Sequence, residues 1–120
     1  MRLGDEIRDR TKQFASRVVR FYAALPRNRN EVEVLGHQLL RSGTSVAAHV
    51  REASRARSDT EFCSKLEVAL QEADESQLWL ELLRDDCGIP SSDLHGLIAE
   101  TEELISIFVT IIQRTRRKNI

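Results

Sequence analysis

The chain has 120 residues, of which 41% are apolar and 31% are charged, and its net charge at pH 7 is −1. This length and composition are typical of one folded domain, residues 1–120, and they exclude a disordered chain. The longest apolar run, Leu104–Ile112, is too short to span a membrane, and residues 1–13 lack the apolar segment of a secretory signal. The two cysteines fit a reducing compartment, so we expect a soluble cytoplasmic protein.

The first two predicted elements are amphipathic helices over residues 5–25 and 31–55, because apolar residues recur along both at helical spacing. Pro26 ends the first helix, and Asn28 or Asn30 is expected to cap the second. The apolar residues of the first helix are Ile7, Phe14, Val18, Phe21, Tyr22 and Leu25. Those of the second are Val32, Leu35, Leu39, Val46, Val50 and Ala53.

Two further helices are predicted over residues 59–86 and 92–116. The run Ser58-Asp59-Thr60-Glu61 has the pattern of a capping box, in which the Ser58 side chain accepts from the amide of Glu61. Gly88 and Pro90 mark the end of the third helix, and Ser91 or Ser92 is expected to cap the fourth. Because short connections make consecutive helices antiparallel neighbours, the sequence predicts an all-α, up-down-up-down four-helix bundle.

Small residues in the second and third helices predict close packing between them. Gly43 lies inside a helix, where glycine costs about 1 kcal/mol relative to alanine, so a compensating contact is expected. Folding the two helices back around residues 57–58 sets Gly43 against Ala73 and Ala47 against Ala69. The same register brings Arg41 to Glu75. With Glu72 one turn away, this predicts a partly buried structural ion pair formed by Arg41, Glu72 and Glu75; a surface pair of little energetic value is the alternative.

Apolar residues cover a wider arc of the third and fourth helices than one bundle core requires. On the third helix they are Leu78, Trp79, Leu80, Leu82 and Leu83. On the fourth they are Leu104, Ile105, Ile107, Phe108, Val109, Ile111 and Ile112. A thick core would also explain them, but excess apolar surface usually marks an interface, and we expect self-association into a homo-oligomer.

Motifs for catalysis and cofactor binding are missing from the sequence. None of the three histidines belongs to a Glu-x-x-His pair, no Cys/His spacing suits zinc, and there is no glycine-rich phosphate loop. Crowding of Glu72, Asp74 and Glu75 is typical of a charged helix face rather than of a metal site. We therefore expect no catalytic residues, no metal, no cofactor and no enzymatic activity.

Clustered arginines make nucleic acid a candidate partner. Arginine outnumbers lysine fifteen to three, and its guanidinium suits bidentate contact with phosphate. The same residues could instead contact neighbouring subunits, so both interpretations stay open. The candidates are Arg51, Arg55 and Arg57 at the end of the second helix, Arg17 and Arg20 in the first, and Arg114, Arg116 and Arg117 at the C-terminus.

Several segments of the second and third helices carry a resemblance to a known family. They are Leu39–Ala53, Arg55-Ala56-Arg57-Ser58, Glu61-Phe62, Lys65-Leu66, Glu72–Ser76 and Trp79–Leu83. These segments resemble the four helix bundle protein family, which is encoded in intervening sequences of bacterial 23S ribosomal RNA genes. The resemblance covers about residues 7–115, and Arg41, Arg51, Glu52, Glu72 and Glu75 match its motif positions. It implies a left-handed antiparallel bundle assembled as a ring, commonly a homopentamer. It implies no enzymatic activity. A related branch, the accessory proteins of diversity-generating retroelements, forms basic pentamers that contact nucleic acid and a reverse transcriptase.

These observations favour a non-enzymatic homo-oligomeric bundle that contacts RNA, DNA or a nucleic-acid-processing protein through its arginines. The alternative is a purely structural or protein–protein scaffold whose arginines bind only neighbouring subunits.

Overall fold

Four helices follow one another in the computed structural model, which describes residues 4–90 and 92–119. They are α1 (Asp5–Ala23), α2 (Asn30–Ser54), α3 (Asp59–Asp85) and α4 (Ser92–Lys118). Every boundary lies within two residues of its predicted position. The all-α four-helix bundle predicted from the sequence is therefore confirmed.

The ends of the helices show which sequence signals act in the fold. Ser58 caps α3 as predicted, since its Oγ accepts from the Glu61 amide at 3.0 Å. Gly88 has a φ of 64°, the left-handed geometry that terminates α3. The expected asparagine cap of α2 is wrong: Arg29 is the N-cap and makes no side-chain capping bond, and Asn30 is already helical. Ser92 is the first residue of α4, and Ser91 lies outside the described residues.

Neighbouring helices run antiparallel around one long core. The ion pair between Glu52 and Lys65 lies near the α2–α3 connection, and the pair between Arg41 and Glu75 lies farther from it on both helices. Among the helix pairs that touch, contact is most extensive between α2 and α3 and least extensive between α1 and α4. The backbone measures 51 × 20 × 20 Å. The largest fully buried side chains include Phe14, Phe62, Phe108, Leu39, Leu66, Leu80, Leu83, Leu94, Leu97 and Leu104.

Candidate functional site: charged and apolar surfaces of the bundle

Arg41 of α2 joins two carboxylates of α3. Its guanidinium donates to Glu72 Oε2 at 3.1 Å and to Glu75 Oε1 at 3.0 Å, which confirms the predicted contact. The Glu72 side chain is 12% exposed and that of Arg41 is 50% exposed, so burial is confined to the glutamate end of the pair. The hydrogen bond that Arg41 donates to Glu72, followed by the charge of Glu72, raises the pKa of Arg41. The cluster therefore fixes the register of α2 against α3.

Gly43 packs closely against Val18 of α1, a contact that the sequence did not predict. A Cβ at this position would lie 2.9 Å from Val18 Cγ2 of α1, so the glycine permits close approach of α1 and α2. The three atoms nearest to that Cβ position all belong to Val18, and the pairing of Gly43 with Ala73 stays a prediction. Between α2 and α3, Ser42 Oγ lies 2.8 Å from Ser76 Oγ. Ala69 and Ala73 are fully buried in the core, and Ala47 is partly buried.

An ion cluster that the sequence did not predict joins α1 to α4. Arg10 donates to both oxygens of Glu100, at 2.7 and 2.8 Å, and to Glu103 at 2.7 Å. The hydrogen bond from Arg10 is the largest influence lowering the pKa of Glu100, and the same bond raises the pKa of Arg10. Arg10 and Glu100 are separated by most of the chain, and no local motif signals their contact.

One end of the bundle carries most of the predicted basic residues. Asn119 Nδ2 donates to Asp59 Oδ2 at 3.1 Å, so the end of α4 lies beside the start of α3 and the α2–α3 connection. Arg116 at this end is paired with Glu67 at 2.7 Å. The remaining arginines at this end are exposed and have no acidic partner within residues 4–90 and 92–119. These five residues, which we call the basic end, are Arg51, Arg55, Arg57, Arg114 and Arg117.

Arg17 and Arg20 do not join the basic end. They lie near the C-terminal end of α1, beside a cavity that is also lined by Pro26 of the α1–α2 connection and by Pro90 of the α3–α4 connection. Both of these connections lie at the opposite end of the bundle from Arg55 and Arg57. The arginines predicted from sequence as one candidate set therefore form two separate groups.

Apolar side chains remain at the surface on α2, α3 and α4. Val34 is 52% exposed and Leu78 is 46% exposed. The register set by Arg41 and Glu75 places Val34 opposite Leu82, so Leu78, Trp79 and Leu82 continue one apolar surface across α2 and α3. On α4, half-buried aliphatic residues lie on both sides of the core row, the buried residues that include Leu104 and Phe108. They are Ile98, Ile105, Ile107, Val109 and Ile111.

The candidate chemical groups do not assemble into a catalytic or metal centre in the part of the chain that the structure describes. No three residues of the types His, Cys, Asp or Glu are grouped there so as to hold a metal ion. His49 Nδ1 lies 2.9 Å from the Ser45 carbonyl oxygen and 3.0 Å from its hydroxyl. Cys63 and Cys87 are buried free thiols. Among the described helices, none is both long and apolar enough to cross a membrane.

These features define a four-helix protein with a basic end and exposed apolar flanks. The family model described as 23S rRNA-intervening sequence protein matches residues 5–110, and the chain belongs to that family. It is also similar to a protein of unknown function from the S23 ribosomal protein family of Bacteroides thetaiotaomicron, whose crystal structure gives a TM-score of 0.80. The two sequences are 37% identical over 88% of this chain and 97% of that chain. No curated protein matches the sequence.

Proposed function

We propose that this protein is a non-enzymatic, cytoplasmic helical bundle that assembles with further copies of itself into a ring. The observation that carries the proposal is the pair of aliphatic rows flanking the core row of α4. Ile105 and Ile107 lie on opposite sides of buried Leu104 and Phe108, and both stay half-buried in the single chain. Covering such rows with a second subunit would remove apolar area from water, at about 25 cal/mol per Å². A ring of five copies is the assembly that the sequence resemblance implies.

The surface of α2 and α3 around Leu78 and Trp79 supports the same proposal. The indole Nε1 of Trp79 is buried and has no hydrogen-bond acceptor among residues 4–90 and 92–119. Apolar residues beside it are exposed, so two different faces of one chain carry uncovered apolar surface. Two different faces are what a ring needs, because each subunit of a ring uses one face for each neighbour.

Assembly is tested by measuring the native mass of the purified chain and of surface variants. We expect a multiple of the 13.7 kDa chain mass. Ile105→Glu and Leu78→Lys are expected to lower that mass, because each places a charge within an apolar contact. Ser106→Glu and Gln71→Lys are the matched controls, since both residues are exposed on the same helices, and they should leave the mass unchanged. A wild-type chain that stays monomeric at high concentration contradicts the proposal.

We further propose that the basic end contacts the phosphates of RNA or DNA. Five exposed arginines without acidic partners among the described residues support this, because an unpaired guanidinium can exchange its counterions for phosphate. In a ring, copies of the basic end would multiply the number of phosphates neutralised. The slightly negative net charge does not oppose this, since the five arginines are concentrated at one end.

Nucleic-acid binding is tested by mobility shift with RNA and with DNA at several salt concentrations. The variant Arg51→Gln/Arg55→Gln/Arg57→Gln is expected to bind more weakly and to lower the salt slope by about one unit for each phosphate that it no longer neutralises. Arg17→Gln/Arg20→Gln is the control with arginines removed from the opposite end. If wild type binds neither nucleic acid at low salt, the chain is a scaffold whose arginines serve only contacts between proteins.

A further inference from the structure

A cavity of about 670 Å³ opens where the α1–α2 and α3–α4 connections meet. Phe21, Leu25 and Leu97 form its apolar wall, and each is at most 8% exposed. Ile89 and two prolines extend this wall. The volume lies in the range of sites that enclose a small organic molecule.

Two arginines of α1 line the same cavity. Arg17 and Arg20 have no acidic partner in the part of the chain described here. The charge of Arg17 helps to lower the pKa of Glu100, although the hydrogen bond from Arg10 has the larger effect. Both oxygens of Glu100 already accept from Arg10, so the charge of Arg17 is left without a bonded carboxylate.

Gly96 gives Arg17 its place beside α4. A Cβ at residue 96 would lie 2.7 Å from an Nη atom of Arg17, so the guanidinium rests against bare helix backbone. Glycine inside a helix costs about 1 kcal/mol relative to alanine, and here its missing side chain leaves space for the Arg17 guanidinium. Arg17 is thereby held at the rim of the cavity without an ion pair.

We propose that this cavity binds a small organic anion, one that carries a carboxylate or phosphate group on an apolar body. Arg17 and Arg20 would hold the charged group, since guanidinium pairs well with both anions, and the wall around Phe21 and Leu97 would enclose the apolar body. One carboxylate, that of Asp93, also lines the cavity and already has an interaction of its own, so the two arginines leave the lining cationic. The site lies at the opposite end from the basic end, and its test is therefore independent of nucleic-acid binding.

The experiment is titration of the full chain, with isotope-labelled methyl groups of Ile89 and Leu97 observed by NMR. Benzoate and phenyl phosphate are the probes, and they distinguish carboxylate from phosphate recognition. We expect one or both to shift these methyl signals saturably, and to bind at least about tenfold more tightly than neutral benzyl alcohol or inorganic phosphate. Equal binding of the neutral compound, equal binding of inorganic phosphate, or no shift with either organic anion overturns the proposal.

Variants separate the arginine site from unspecific binding. Arg17→Gln/Arg20→Gln is expected to lower the affinity for the tighter-binding probe by at least about tenfold, because the charged hydrogen bonds are removed. Gly96→Ala should weaken it as well, by displacing Arg17. Arg114→Gln/Arg117→Gln, which removes two exposed arginines at the basic end, should leave the affinity unchanged. Unchanged affinity in Arg17→Gln/Arg20→Gln, with helicity intact by circular dichroism, overturns the assignment.

Discussion

Arg10 holds Glu100 through two parallel hydrogen bonds of 2.7 and 2.8 Å, and this contact bridges α1 and α4, which have the least extensive contact of the helix pairs that touch. The Glu100 side chain is 15% exposed and that of Arg10 is 31% exposed, so the pair is shielded more than an ordinary surface pair. Fork-to-fork geometry of this kind is the stronger form of ion pair. It closes the bundle between its first and last helices.

The Arg10–Glu100 pair predicts acid sensitivity. The pKa of Glu100 is lowered in the folded chain, so the stabilisation is complete above the ordinary glutamate value of 4.5 and is lost as pH falls through the lowered value. Glu100→Gln should cost about 1–2 kcal/mol of unfolding free energy at neutral pH and progressively less in acid. Urea unfolding across pH measures this. Arg84→Gln, which breaks an exposed pair with Asp85, is the control. If the difference in unfolding free energy between Glu100→Gln and wild type is the same at all pH values, the prediction is contradicted.

Gly43→Ala is expected to destabilise the bundle by about 1–2 kcal/mol. The new methyl group would lie 2.9 Å from Val18 Cγ2, and Val18 is fully buried and branched, so the cost of overpacking exceeds the gain in helix propensity. Thermal or urea unfolding measures the change. In a Val18→Ala background, Gly43→Ala should no longer lower the unfolding free energy. Gly96→Ala is the matched control, because its neighbour is the flexible end of Arg17, and it should stabilise the fold by up to about 1 kcal/mol.

Ser42 and Ser76 should respond unequally to alanine substitution. Ser76 Oγ donates to the Glu72 carbonyl at 2.8 Å, so in the contact between the two hydroxyls Ser42 is the donor and Ser76 the acceptor. Ser76→Ala leaves the buried Ser42 hydroxyl with only the Leu39 carbonyl at 3.4 Å, and we expect a loss of about 1–2 kcal/mol. Ser42→Ala leaves the Ser76 donor satisfied and should cost less. Equal destabilisation of the two variants in urea unfolding would contradict this polarity.

Ser58→Ala tests the cap of α3. Its hydroxyl accepts from the Glu61 amide at 3.0 Å, and loss of such a cap costs about 1 kcal/mol. Thr60→Ala, at an exposed position within the same first turn, is the comparison and should change the unfolding free energy by less than half as much. Hydrogen exchange at Glu61 gives a local readout, since its amide should exchange faster only in Ser58→Ala.

Features set by local sequence were predictable, and features set by long-range geometry were not. The cap at Ser58 follows from residues of the short α2–α3 connection. The pairing of Arg41 with Glu75 follows from the register that this connection imposes when α2 and α3 fold back on each other. Gly43 carried a correct signal of close packing, but glycine does not specify which of two neighbouring helices approaches it. The contact of Arg10 with Glu100 depends on how all three connections close the bundle, so spacing along the chain did not reveal it.

Trp79 has a consequence for how the chain can be observed. It is the only tryptophan in the sequence, so all indole fluorescence originates from one partly buried side chain within the apolar surface around Leu78 on α3. Emission recorded during dilution therefore reports directly on whether that surface is shared with another subunit, without any attached dye. Trp79 is therefore an intrinsic fluorescent probe for the subunit association proposed above.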